Sequence, residues 1–240
     1  MSQSASKNLK NAPWVSHGIF TKREMAELVD GGTFHIHSGA QPEVAQMAKI
    51  TEEARQTGLI PGYPWEPKAA TTLYRVPDSP SRASVTQRII EEHKLSRYIR
   101  ERAQLVLEEL LSNAIFHSYR GANGQDKYRR KDLVQLADKE VVEVQVYSAA
   151  EGLYLMVRDR GGSLKPEDLQ KVFARCYGPA EQQIESKEGG AGLGLYMVFE
   201  QVTHMKITTE PGVGTEVAVW IASRSTFDPN AFSFNFFLRR

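Results

Sequence analysis

The sequence predicts an α+β fold, built from amphipathic helices and antiparallel strands. Three observations indicate it. Residues 105–119 place apolar side chains at helical spacing along one face. Residues 141–147 alternate apolar and polar side chains, and residues 152–158 follow after a short turn, which is typical of an antiparallel pair with one face buried. Residues 205–209 and 214–221 are two further predicted strands, joined by Glu-Pro-Gly-Val.

The composition of the 240-residue chain is that of a globular protein, since 41% hydrophobic residues suffice for a core. The 30 Lys and Arg residues balance the 29 Asp and Glu residues, so overall charge does not favour nucleic-acid binding. The single cysteine, Cys176, fits a reducing compartment, and we interpret it as a packing residue. No signal-peptide pattern and no long apolar run is present, which predicts a cytoplasmic protein without a membrane span.

Residues 1–68 are predicted to form an N-terminal extension of unknown role. Its predicted elements are a helix over 21–30, a short strand over 33–37 and a helix over 42–57. His35 and His37 would lie on one face of that strand, and we interpret them as structural because two histidines alone do not make a metal site. The proline-rich residues 59–67 indicate a linker or an ordered irregular arm, and the domain boundary is placed there.

Residues 69–225 are predicted to form the main domain, which opens with a strand over 71–76. Ser79 and Pro80 follow it, and this pair suits the start of a helix, with Ser as the cap and Pro at the first helical position. Ser96 is the predicted cap of the next helix, which contains the apolar face described above.

Two further segments have no helical or strand pattern that fits the main domain. The polar residues 121–139 are predicted to form an exposed excursion, whose basic cluster at 127–131 is either a solvated loop or a contact for an acidic partner. The C-terminal tail, residues 226–240, alternates phenylalanines at positions 232, 234 and 236. We expect this tail to pack either on the body of the protein or on a second subunit.

Three polar motifs carry the candidate chemistry. Glu109 and Asn113 are four residues apart and stack on one helix face, where a carboxylate can take a proton and an amide can hold a hydrated cation; the alternative is a solvated polar edge. Asp159 precedes Gly161 and is either a turn residue or a buried carboxylate that needs a donor, such as the exocyclic amine of a base. The glycine-rich run 189–194 precedes a helix and is either a turn or a phosphate site.

The order and spacing of these motifs resemble those of the GHKL ATPases. This superfamily includes histidine-kinase catalytic domains, anti-sigma-factor kinases, type II topoisomerases, heat-shock chaperones and mismatch-repair ATPases. The matching segments are 109–113 for the Asn box, 159–162 for the first glycine box, 190–195 for the second, and 214–217 for the closing strand. The resemblance implies the Bergerat ATP-binding fold, a two-layer α/β sandwich in which helices cover one face of a mixed, mostly antiparallel sheet.

The resemblance also implies that ATP and magnesium bind to this domain. Asn113 would hold the magnesium ion that bridges the phosphates. Asp159 would accept a hydrogen bond from the adenine amine, Gly161 would let the base approach, and Thr215 would help to fix it.

At the phosphate end, the resemblance implies a lid formed by residues 163–189. Gly190, Gly192 and Gly194 would form its hinge and cradle the phosphates. Lys187, at the end of the lid, would touch a phosphate group.

Within the superfamily, the layout most closely resembles the anti-sigma-factor serine kinases. The Asn box begins with Glu109, where histidine kinases often carry Asn, and residues 71–119 follow that branch's order of strand, Pro-containing turn and two helices. This implies phosphoryl transfer from Mg-ATP to a protein partner in a signalling pathway, with Glu109 as the base. The alternatives are an ATP-gated interaction module without transfer and an orphan histidine-kinase catalytic domain. A homodimer is implied by the family resemblance only.

Overall fold

The computed structural model describes residues 13–121, 123–177, 193–223 and 228–239. Its strands are β1 (Val15–Gly18), β2 (His35–Ser38), β3 (Thr72–Val76), β4 (Val142–Ala149), β5 (Gly152–Asp159), β6 (His204–Glu210), β7 (Gly214–Ala222) and β8 (Phe232–Leu238). Its helices are α1 (Lys22–Asp30), α2 (Pro42–Thr57), α3 (Ser81–Glu92), α4 (Arg97–Phe116), α5 (Pro166–Tyr177) and α6 (Leu193–Gln201). None of these helices is both long and apolar enough to cross a membrane.

Within these ranges the strands form a single sheet in the order β1-β2-β8-β6-β7-β5-β4-β3. The β1–β2 and β6–β8 pairs are parallel, and the other five neighbouring pairs are antiparallel. The predicted α+β fold with a mixed, mostly antiparallel sheet is therefore confirmed.

The central helix, α4, buries its apolar face against β5 and β7, with α3 and α6 beside it. Leu107, Leu111 and Ile115, spaced one turn apart, are fully buried in this core. The helix begins as predicted, since the Ser96 hydroxyl oxygen accepts a hydrogen bond from the backbone N–H of Ile99 at 3.5 Å.

The start of α3 differs from the prediction. The carboxylate of Asp78, not the hydroxyl of Ser79, accepts from the backbone N–H and the hydroxyl of Ser81, at 2.7 and 2.6 Å. A carboxylate is the stronger acceptor for these donors. Ser79 instead accepts from the backbone N–H of Val134 at 2.9 Å and so fixes a later part of the chain.

The N-terminal extension and the C-terminal tail join the same sheet. Strand β8 lies between β2 and β6, so the tail packs on the body of the protein, one of the two predicted alternatives. Its alternating side chains Phe232, Phe234 and Phe236 are buried in the main core. Helix α1, which begins with a capping box between Thr21 and Glu24, packs against α5.

The expected helical layer covers one face of the sheet, and α2 lies on the opposite face. Strand β2 shows that α2 lies on the opposite face, because neighbouring residues of a strand point to opposite faces of the sheet. Ile36 packs in the main core, whereas His37 bonds the Thr51 hydroxyl of α2 at 2.8 Å. His35 bonds the Asn235 side chain at 3.2 Å. Burial lowers the pKa of His35 to about 4 and that of His37 to about 3. Both histidines are therefore neutral, hydrogen-bonded core residues.

The segment predicted as an exposed excursion is only partly exposed. We call residues 120–140, as far as the structure describes them, the wall segment. Val134 and Leu136 are buried in the main core. The buried carboxylate of Glu140 accepts hydrogen bonds from Lys127 at 2.6 Å and Tyr128 at 2.7 Å. The prediction was wrong here because the two apolar side chains are too few to give a periodic signal.

Candidate functional site

A cavity of about 490 Å³ opens between α4, α5 and the ends of β5 and β7. Small-molecule sites commonly have volumes of about 300–1,000 Å³. The apolar lining comprises Leu110, Ala114, Val157, Leu164, Val172, Leu195 and Val217. The polar lining comprises Asn113, His117, Ser118, Arg120, Asp126, Asp159, Ser163, Asp168, Lys171 and Thr215.

The polar centre of this cavity is Asp159, the last residue of β5, which is only 7% exposed. Its Oδ1 atom accepts hydrogen bonds from three backbone N–H groups: Gly161 at 2.8 Å, Gly162 at 3.0 Å and Thr215 at 3.3 Å. Burial raises the pKa of the Asp159 carboxyl above its ordinary value, and these hydrogen bonds oppose the rise. The carboxyl is thus rigidly oriented, partly desolvated and placed at a cavity wall.

The loop after Asp159 packs tightly against the end of α4. A Cβ atom at Gly161 would overlap the backbone carbonyl oxygen of Ser118, so only glycine allows this approach. The Ser163 hydroxyl then donates to the carbonyl oxygen of His117 at 2.6 Å. The group that closely approaches Gly161 in this structure is Ser118. Together, the Gly161–Ser118 and Ser163–His117 contacts join the loop to the helix that carries Asn113.

Thr215 lies opposite Asp159 in the β5–β7 ladder and is buried. Besides its backbone hydrogen bond to Asp159, its hydroxyl lies 3.2 Å from the hydroxyl of Thr209 on β6. The predicted base-binding residues Asp159 and Thr215 therefore lie side by side on neighbouring strands.

Asn113 lines the same cavity from α4. It is half-buried on α4, four residues after Glu109. Glu109 is not among the described residues that line the cavity; its carboxylate lies against the start of α6, where a Cβ atom at Gly194 would overlap Oε2. The structure thus brings Asn113, Asp159 and Thr215 together, and sets Glu109 one turn away, beside Gly194.

Three predicted phosphate-site residues lie outside the described part of the chain: Lys187, Gly190 and Gly192. The same holds for residues 178–189 of the predicted lid and for the side chain of Cys176, whereas residues 163–177 of the lid are described and include α5. Of that predicted phosphate site, Gly194 is described.

Several cavity residues were not predicted. Arg120 and Asp126 come from the wall segment, and Lys171 comes from α5. His117 follows Asn113 by four residues, as Asn113 follows Glu109. This helical spacing was the feature of the sequence that could have identified His117 as a cavity residue. Arg120 and Asp126 had no such signal, because a polar loop has no periodicity that indicates which cavity it borders.

The donors and acceptors of the cavity suit an adenine nucleotide. An oriented carboxylate can accept from the purine amine, and the Asn113 amide oxygen is a suitable ligand for a hard divalent cation. Within the described residues, no group of three His, Cys, Asp or Glu side chains forms a metal site by itself. A cation held by Asn113 would share its coordination with phosphate oxygens, as magnesium commonly does.

Residues 99–225 match the family model described as histidine kinase-, DNA gyrase B- and HSP90-like ATPase. A comparison with curated proteins found no match. The family match covers just over half of the chain and contains Glu109, Asn113, Asp159, Gly194 and Thr215. The protein therefore belongs to the family of histidine kinase-, DNA gyrase B- and HSP90-like ATPases, and it carries an ATP-binding domain of that type.

Proposed function

We propose that this protein binds Mg-ATP in the cavity and transfers the γ-phosphoryl group to a hydroxyl of a protein partner, in the manner of anti-sigma-factor serine kinases. The observation that carries the proposal is that Asp159, at the end of β5, and Asn113, on α4, line one cavity. A carboxylate suited to a purine amine and an amide suited to a cation are thereby available to a single ligand.

Asp159 recognises the base in this proposal. Three backbone donors hold the carboxyl through Oδ1, so its orientation is set before the ligand arrives. Burial makes a further donor favourable, because the desolvated carboxylate gains more from a hydrogen bond than an exposed one would. The exocyclic amine of adenine is such a donor, and the neighbouring Thr215 borders the same position.

Asn113 holds magnesium through its side-chain oxygen, together with phosphate oxygens. When bound, the ion neutralises the charge that develops on the transferred group. Lys171, which lines the cavity from α5, adds a positive charge to the same chamber.

Glu109 is the proposed catalytic base, one helical turn before Asn113. It accepts the proton of the attacking hydroxyl while that oxygen forms a bond to the γ-phosphorus and the bond to the β-phosphate oxygen breaks. Its carboxylate lies beside Gly194, at the end of the glycine-rich run. In this proposal the phosphates extend toward this end of the glycine-rich run, next to Glu109.

The test is transfer from labelled ATP to candidate partners by the wild type and by Glu109→Gln. We expect transfer to fall by about 10²- to 10⁴-fold while the Kd for ATP stays within about twofold, since a general base acts on the reaction and not on binding. Glu108→Gln is the matched control, because Glu108 is the exposed neighbour on the same helix. Equal loss of binding and transfer in Glu109→Gln contradicts a catalytic role. Acid-stable label supports a hydroxyl acceptor, whereas acid-labile label supports histidine transfer.

A second candidate function is an ATP-gated interaction module without transfer. The specific observation is that α1 of the N-terminal extension contacts both helices that flank the glycine-rich run. The Gln170 amide of α5 donates to the carbonyl oxygens of Val29 and Asp30, at 3.4 and 3.1 Å, and Lys22 pairs with Glu200 of α6. A conformational change of α5 at the cavity would therefore be transmitted to α1 of the N-terminal extension.

In that case, ATP would change the affinity for a protein partner even in Glu109→Gln. Partner capture with and without nucleotide, using this variant, measures the effect. If the wild type and Glu109→Gln each capture the partner equally well with and without ATP, the gated module is excluded.

A further inference from the structure

We propose that Asp126 is a positioning residue of the nucleotide site, which holds His117 and Arg120 as an added wall beside the adenosine part of ATP. The inference rests on the proposed function. It assigns a task to the wall segment, and the four motifs that carry the family resemblance do not include this segment. The ligand class is an adenine nucleoside phosphate.

Both carboxylate oxygens of Asp126 are in use. His117 donates from Nδ1 to Oδ2 at 2.7 Å, and Arg120 donates from Nη1 to Oδ1. Because Nδ1 carries the proton, the opposite ring nitrogen is an acceptor, and Arg130 donates to it from Nε at 3.3 Å. The imidazole of His117 is thus fixed from both sides, by two side chains of the wall segment.

All three members of this cluster, His117, Arg120 and Asp126, line the cavity. Their position along it follows from two contacts already described: the His117 carbonyl bonds Ser163, and Ser118 abuts Gly161. Both contacts belong to the loop that begins at Asp159. The cluster therefore lies at the Asp159 end of the cavity, one helical turn beyond Asn113. A nucleotide with its base at Asp159 and its phosphates at Asn113 would present its base and ribose to this wall.

The need for an anchor follows from exposure. The side chains of His117 and Arg120 are 25% and 46% exposed, so without a partner they would sample several rotamers. Ordering one such side chain on binding reduces affinity by a factor of about 2–12. Asp126 orders both side chains before the nucleotide arrives, with charge-assisted hydrogen bonds.

The experiment is calorimetric titration of the full chain with Mg-ATP and with Mg-ADP, comparing wild type, Asp126→Ala and Asp132→Ala. Asp132 is the matched control because it is an exposed carboxylate on the same segment. We expect Asp126→Ala to bind both nucleotides about tenfold more weakly, by a similar factor for each, because the lost contact is to the adenosine that they share. The control should bind like the wild type.

A double-mutant cycle separates positioning from general damage. Because Asp126 acts through its partners, Asp126→Ala should add little further loss in a His117→Ala, Arg120→Ala background. Asp126→Glu, which keeps a carboxylate, should recover part of the affinity. Asp126→Asn, which keeps one acceptor oxygen, serves in place of the alanine variant if that protein has a lowered Tm without nucleotide.

Three results would overturn the inference: wild-type affinity in Asp126→Ala and Asp126→Asn, additive losses in the cycle, or a loss confined to ATP and absent for ADP. Each of these is separate from a failure of the proposed function. That failure would appear as no binding of either nucleotide by the wild type, or as ATP binding without transfer.

Discussion

The two faces of the sheet are built from different chemistry. The face under α4 is an apolar core in which Phe173, Phe199 and Phe234 pack edge to face, and its polar residue Asp159 borders the cavity. The face under α2 buries polar side chains that bond one another, among them His35 and His37. The face under α4 borders the cavity, whereas the face under α2 attaches the N-terminal extension to the sheet.

This difference separates two kinds of buried polar group. Burial raises the pKa of Asp159 and lowers the pKa of His35 and His37, so each group is displaced toward its neutral form. Each histidine has a hydrogen-bond partner in the protein, on strand β8 for His35 and on helix α2 for His37, as a structural role requires. Asp159 instead borders open space. A buried polar group beside a cavity indicates a ligand, and one inside a hydrogen-bonded layer indicates attachment.

The largest expected effect comes from a matched pair of core deletions on β8. Phe234→Ala, under α4, and Phe237→Ala, on the α2 side, should each lower the free energy of unfolding by about 3–5 kcal/mol, since both rings are buried. Phe234 contacts Phe173 of α5, next to the cavity residue Val172. Phe234→Ala should therefore also weaken ATP binding, about fivefold. Urea unfolding and calorimetry measure the two effects.

Phe237→Ala is the control for this pair, because its ring contacts His35 on the other face. It should leave the Kd for ATP unchanged. Equal weakening of ATP binding by the two variants would mean that the two faces are not independent.

The next effect concerns pH. The folded pKa values of His35 and His37, about 4 and about 3, lie below their ordinary value of 6.5, so the unfolded chain binds more protons between these values. Stability is therefore present above pH 6.5 and falls as the pH drops, by about 1.4 kcal/mol per pH unit for each histidine. Urea unfolding at pH 7.5, 6.0 and 5.0 measures the slope.

Burial also lowers the pKa of His204 to about 3, so three buried histidines contribute to this slope, and His37→Gln should reduce it by about a third. Gln46→Ala, which changes an exposed uncharged residue of α2, should leave the slope unaltered. An unchanged slope in His37→Gln would contradict the assignment of the polar face.

A smaller effect is expected from Asp159→Asn, which keeps an acceptor oxygen for the backbone donors but removes the charge. ATP affinity should fall by about 10- to 150-fold, the value of a hydrogen bond to a charged group. The free energy of unfolding at pH 7 should rise, because burial of the ionised carboxyl is unfavourable, as its raised pKa indicates. A loss of stability in this variant would assign Asp159 a structural role.

The smallest effect is expected at the start of α4, where Ser96 is not among the described residues that line the cavity. Ser96→Ala removes the helix cap and should lower the free energy of unfolding by about 1 kcal/mol without changing ATP affinity. Ser84→Ala, on the exposed side of α3, is the control and should have little effect. A change in ATP affinity in Ser96→Ala would show that strain at this end reaches the cavity.

Local signals predicted most of the main domain. The apolar spacing of 105–119 predicted α4, and the alternation of 141–147 with the short turn before 152–158 predicted β4 and β5. Ser96 was found as a cap because capping depends on a few adjacent residues. The convergence of Asn113 and Asp159 was also predictable, since the spacing of family motifs carries that information.

Contacts between distant segments could not be predicted in this way. His35 bonds Asn235, 200 residues along the chain, and no local pattern specifies that β8 inserts between β2 and β6. The role of the wall segment was missed for a related reason. His117 bonds Asp126 because a polar loop folds back onto the end of α4. A polar loop has no periodic pattern from which this contact could be predicted.

The central claim is that one cavity, lined by Asp159 of β5 and Asn113 of α4, binds an adenine nucleotide with magnesium. Isothermal titration calorimetry of the folded wild-type chain with Mg-ATP tests it most directly. We predict saturable heat at a stoichiometry of one nucleotide per chain, greatly reduced in Asp159→Asn. Absence of binding heat in well-folded wild-type protein, or equal affinity in the two proteins, would contradict the claim.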